Sequence, residues 1–102
     1  MVVLLYTFLG GNMRKLLFFH APWCPPCRFY ERQFIQPLEN QVGDKYICRI
    51  SAQDDPFTAE RYMIDRLPTV ILVEGETVVE RHTGAIDINK IIEFLKGGMS
   101  ID

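Results

Sequence analysis

Residues 15–28 read Lys15-Leu16-Leu17-Phe18-Phe19-His20-Ala21-Pro22-Trp23-Cys24-Pro25-Pro26-Cys27-Arg28, and this stretch decides the fold. Leu16-Leu17-Phe18-Phe19 is a continuous apolar run, the pattern of a strand buried on both faces. Pro22 ends it. A helix then starts at Cys24, with Pro25 and Pro26 at the first helical positions, where a missing N–H is harmless. It runs toward Asn40, and Pro37 is expected to kink or break it. Two cysteines separated by two residues at a helix start can close a disulfide within one turn. The first of them sits where unpaired N–H groups and the positive helix end favour a thiolate.

Outward from this stretch, strands and helices alternate. Met1 to Phe8 leans toward β-structure, and Gly10-Gly11-Asn12 is a turn signal. Lys45 to Ser51 reads as the next strand. Asp55-Pro56 opens a helix that reaches about Ile64, with Asp55 as N-cap and Pro56 at the first helical position. Thr69–Val73 and Thr77–His82 flank Glu74-Gly75-Glu76 and read as a β-hairpin. The last helix begins at Asp87 and carries Ile88, Ile91, Ile92 and Leu95 along one face, with Lys96-Gly97 as its stop. Early strands separated by helices run parallel and the hairpin runs antiparallel. The fold class is therefore α/β, a mixed central sheet with helices on both faces.

The 102 residues make a single domain, large enough for one core without staples. An apolar share of 48% and a charged share of 24% are ordinary for a globular protein. A net charge of -2 gives no reason to expect nucleic acid or an anionic membrane as partner, since both select basic faces. Val2 to Leu9 is too short to span a bilayer, and no Lys or Arg precedes it as in a signal peptide. The expected compartment is the cytoplasm. Three cysteines, an odd number, argue against a disulfide-stapled secreted scaffold.

A close cysteine pair in a reducing compartment is more often catalytic or metal-binding than structural. A helix start lowers a thiol from near 8.5 to between about 3.5 and 7.5. The thiolate attacks a substrate disulfide, and the second thiol resolves the mixed disulfide. Cys24 is the expected attacker and Cys27, one turn inside, the buried resolver. Pro25 and Pro26 stiffen the loop and remove two N–H donors from the reach of the Cys24 sulfur, which biases the pair toward reducing work. Closed zinc sites need four converging ligands. Cys48, His20 and His82 stand at no ligand spacing, so no metal is expected.

On these residues the sequence resembles the thioredoxin family, from Lys15 to Leu95. Leu17 to Arg28 is similar to that family's strand and active-site helix. Tyr62-Met63-Ile64-Asp65-Arg66-Leu67-Pro68-Thr69 is similar to its cis-proline segment, and Gly84-Ala85 to a small-residue loop on its substrate-binding surface. The resemblance implies a thioredoxin-like fold in one domain, 1–102, with a first unit shortened to Val2–Asn12. It implies a protein-disulfide reductase whose only redox group is the Cys24–Cys27 disulfide, with no bound cofactor, working as a monomer in cell redox homeostasis. Its partners would be disulfide-containing proteins and an electron-donating reductase, by analogy a flavoprotein thioredoxin reductase. Pro68 should be cis, and Trp23, Arg66, Leu67, Pro68, Gly84 and Ala85 should meet substrate. Two positions depart from the family pattern. Phe18 stands where many members carry a buried Asp that accepts the resolving thiol's proton, and Arg49 stands where its Lys partner would be.

Other residues carry two readings. His20 could stabilise the Cys24 thiolate when charged, although a strand-end His is more often partly exposed and hydrogen-bonded. Arg66 either contacts substrate or is solvated, and His82 is read as facing solvent. Cys48 is expected to be a buried, inert core thiol, and Phe57, Tyr62, Ile64 and Phe94 to be core. The competing functions are a glutaredoxin-like, glutathione-dependent reductase and a binding module without redox activity. A similar Trp-Cys-Pro-Pro-Cys also occurs in exported relatives that serve cytochrome maturation.

Overall fold

The computed structural model describes residues 13–97, so the expectations for Met1–Phe8, for Gly10-Gly11-Asn12 and for the shortened first unit lie outside the described residues. Four strands, β1 (Arg14–His20), β2 (Ile47–Ser51), β3 (Thr69–Glu74) and β4 (Thr77–His82), form one sheet in the order β2-β1-β3-β4. β1 and β2 are parallel, while the β1–β3 and β3–β4 pairs are antiparallel. The helices are α1 (Pro25–Tyr30), α2 (Gln36–Val42), α3 (Pro56–Arg61) and α4 (Ile88–Leu95). The sequence expectation of a mixed sheet with helices on both faces holds.

The apolar run of β1 explains the two layers. Side chains alternate across a strand, so Leu16 and Phe18 enter one core with Val70 and Leu72 of β3, Cys27 and Tyr30 of α1, Leu38 of α2, and Ile91 and Leu95 of α4. Leu17 and Phe19 enter a second core with Ile71, Val73 and Ala59 of α3. Phe18 and Phe19 are completely buried, and each such side chain contributes about 1.5–3 kcal/mol.

The helix after the cysteines runs without interruption over residues 25–42 but is not a regular α-helix. A π-helical turn, Glu31–Ile35, joins α1 to α2 just before Pro37, and this wider turn accommodates the gap that Pro37, lacking an N–H, leaves in the hydrogen-bond ladder. α2 ends at Gly43, whose φ of 93° suits only glycine well. A short 3-10 turn, Asp44–Tyr46, precedes β2, so that strand starts at Ile47 rather than Lys45. α3 stops at Arg61 instead of Ile64. α4 has the expected cap: Asp87 Oδ1 accepts from the N–H groups of Asn89 and Lys90.

Two core expectations are corrected. Phe57 is 84% exposed. The inward residue of α3 is Ala59, and two positions along a helix is about 200° of rotation, which turns Phe57 outward. Cys48 is exposed rather than buried. Among the described residues β2 pairs only with β1 and is an edge, and on the α3 side it is Ile50, not Cys48, that reaches the core. Tyr62, Ile64 and Phe94 are partly buried against the two cores.

Candidate active site

β1 delivers Ala21, Pro22 and Trp23 to the rim of the sheet, and α1 begins there. Cys24 is the N-cap of α1 in extended conformation, and Cys27 is its third helical residue. Pro25 and Pro26 carry no N–H, so the first donor available is that of Cys27, which reaches Cys24 Sγ at 3.2 Å. Cys24 and Cys27 are joined by a disulfide, with Cα atoms 5.3 Å apart, inside the range such a bond needs. A helix N-terminus that donates to one sulfur stabilises that sulfur as the thiolate once the bond is reduced.

Burial alone does not separate attacker from resolver, because Cys24 is 4% and Cys27 3% exposed. What differs is the groove each one lines. Cys24 lines a groove of about 470 Å³ with Trp23, Pro25, Pro26, Ala52, Ile64, Asp65, Arg66 and Leu67. Cys27 lines one of about 450 Å³ with Phe18, His20, Ala21, Pro22, Arg28, Glu31, Arg32 and Gln36. The first groove has apolar lips with Asp65 and Arg66 at its rim, ion-paired at 3.7 Å and both largely exposed. The second has charged walls.

The residues singled out in the sequence fall unevenly on this plan. Trp23 is 66% exposed at the mouth of the Cys24 groove, and Arg66 and Leu67 line it. The Leu67–Pro68 bond is cis, as the resemblance implies, but Pro68 is not among that groove's lining residues. Gly84 and Ala85 are exposed and line neither groove; Gly84 instead accepts a 2.7 Å hydrogen bond from Tyr30 Oη through its carbonyl. Burial pushes that Tyr30 hydroxyl up to about 12. His20 is partly buried on the Cys27 side, stacked on Phe18 at 5.3 Å, and lines no part of the Cys24 groove. His82 is half-buried, with Nε2 2.8 Å from Glu80 Oε1.

Sequence reasoning missed Ala52, Ile64 and Asp65 as groove residues. Asp65 could have been found from its place beside Arg66, whereas Ala52 follows β2 and meets the site only through the fold. It also missed the clamp around Arg49. Phe18 and Arg49 are register partners on adjacent strands. Arg49 leaves the Phe18 position unpaired and grips two carboxylates across the helices, Glu31 at 2.6 Å and Glu39 at 2.9 Å. The Arg49 hydrogen bond holds the Glu39 carboxyl below the usual range, and the two carboxylates raise the guanidinium further. Among the described residues no group of three or more His, Cys, Asp or Glu is placed to hold a metal ion, and no helix is long and apolar enough to cross a membrane.

A family model described as Thioredoxin matches residues 9–97. The chain is 30% identical over 87 residues to Thioredoxin 2 of Chlorobaculum tepidum, covering 85% of this chain and 80% of that protein. It is also 30% identical over 87 residues to Thioredoxin Y, chloroplastic, of Oryza sativa subsp. japonica, covering 84% of this chain and 51% of that protein. The chain thus spans about half the length of the plant relatives it matches. Among solved structures, one described as thioredoxin-2, a component of malaria parasite protein secretion machinery, superposes with a TM-score of 0.70 at 24% identity. It covers 83% of this chain and 82% of that one, and establishes likeness of fold.

Proposed function

The chain belongs to the thioredoxin family, and we propose that it reduces protein disulfides by exchange through Cys24 and Cys27. The observation that carries this reading is the pair itself: Cys24 at a helix N-terminus, bridged to Cys27, with the first N–H of the helix shared between its sulfur and its carbonyl. In the reduced protein, Cys24 thiolate attacks one sulfur of a substrate disulfide lying in the Trp23–Leu67 groove. The substrate's other sulfur leaves as a thiolate. Cys27 then attacks the Cys24 sulfur, the substrate departs as a dithiol, and the Cys24–Cys27 bond is restored. The matches do not favour the glutathione-dependent reading or that of a redox-silent binding module.

The roles of Trp23, Arg66, Leu67 and Pro68 toward substrate belong to the same proposal. So do a monomeric state, a cytoplasmic setting that keeps the pair reduced, and an electron supply from a flavoprotein reductase. Gly84 and Ala85 would serve only a substrate that extends beyond the groove. Reduction of insulin disulfides by dithiothreitol tests the function. The protein should accelerate it and the Cys24→Ser variant should not; no acceleration by the wild type would refute the reading.

A further inference from the structure

We propose that His20 is the proton acceptor for Cys27 in the resolving step. This rests on the dithiol–disulfide reading and assigns the proton transfer that the resolving step needs. A thiol must lose its proton before it can attack, and Cys27 is buried against Phe18, which can take none. His20 stands two residues beyond Phe18 on the same face of β1, its ring stacked on that of Phe18, and it lines the groove that Cys27 lines. Imidazole is the side chain that exchanges protons near neutrality, and no described residue hydrogen-bonds the His20 ring, so a nitrogen is open to accept.

The other titratable groups of the groove fit the role less well. Arg28 and Arg32 are cations, and Arg28 donates to the Pro22 carbonyl at 3.0 Å. Both oxygens of Glu31, the groove's carboxylate, accept from Arg49 of β2. In the step, the Cys27 proton passes to His20, directly or through one solvent molecule in the open groove. The Cys27 sulfur bonds to Cys24 Sγ, the Cys24–substrate S–S bond breaks, and its electron pair leaves on the substrate thiolate. The imidazolium returns its proton to that thiolate or to solvent. The dithiol is oxidised by two electrons and the substrate disulfide is reduced by two.

Ellman's reagent separates the two steps in the reduced 102-residue chain carrying Cys48→Ser: attack by Cys24 releases one thionitrobenzoate, and resolution by Cys27 releases the second. His20→Gln should leave the first release unchanged and slow the second by about tenfold or more at neutral pH, with the pH profile of the second phase altered. In His20→Ala, added free imidazole should restore the second phase, which loss of packing would not allow. Glu31→Gln should leave the second phase as it is. A His20→Gln second phase equal to wild type in rate and pH profile overturns the assignment, as does slowing by Glu31→Gln alone. A wild type that releases a single equivalent overturns the exchange reaction and this assignment with it.

Discussion

The two sulfurs of the disulfide are equally buried yet open onto unlike surroundings. Cys24 borders Trp23, two prolines, Ala52, Ile64 and Leu67, with a single exposed ion pair at the rim. Cys27 borders His20, Arg28, Glu31 and Arg32 above a floor of Phe18. Apolar lips next to a nucleophile suit a peptide segment, because they exchange water for side-chain contact as the substrate arrives. On the side of the second sulfur His20 suits proton traffic, and the charged side chains around it contribute little to docking. The division of labour therefore lies in the surroundings of the sulfurs and not in their depth.

The largest effect should come from disabling one side while leaving the other intact. Cys27→Ser is expected to retain attack by Cys24 but lose nearly all turnover, accumulating a covalent Cys24–substrate adduct that mass spectrometry detects. The absence of an adduct on Cys24 would break the comparison. A smaller effect follows from the wall of the Cys27 groove. Arg49 ties the helices to β2 and keeps Glu39 more acidic than an ordinary carboxyl. A depressed folded-state value stabilises the fold at pH above the unfolded carboxylate range and is lost as pH falls through the folded value. Arg49→Gln should therefore cost about 1 kcal/mol near neutrality, and the gap to wild type should close below about pH 4 in urea titrations. A gap that widens on acidification would contradict this. The smallest effect belongs to the Cys24 side. Pro25→Gly adds an N–H at the helix start and should raise the reduction potential by up to about 15 mV, equivalent to ~0.7 kcal/mol. A large fall would show that the prolines do not bias the pair toward reduction.

Much of this arrangement was legible in the sequence because it is local. The β1 run, the prolines after Cys24, the Asp55 and Asp87 caps and the Gly75 hairpin each follow from a few adjacent residues, and each forms as expected. What the sequence did not disclose depends on which surfaces meet. Cys48 lies on a strand of ordinary β character, and only the strand order makes it an edge residue among the described residues. Phe57 is apolar, yet α3 is so short that a single small residue, Ala59, faces inward. His20 adjoins the cysteine motif in sequence, but side-chain alternation along β1 sends it to the Cys27 side. The Arg49 clamp joins β2 to carboxylates on two different helical segments, a contact between elements that spacing along the chain does not encode.

The central claim, that Cys24 is the ionised and reachable sulfur, has an internal standard in the exposed thiol of Cys48. Reduced protein pulsed with iodoacetamide at neutral pH and read site by site by mass spectrometry should carry label on Cys24 well before Cys48, and on Cys27 last. Label appearing on Cys48 as fast as on Cys24, or on Cys27 first, would contradict it.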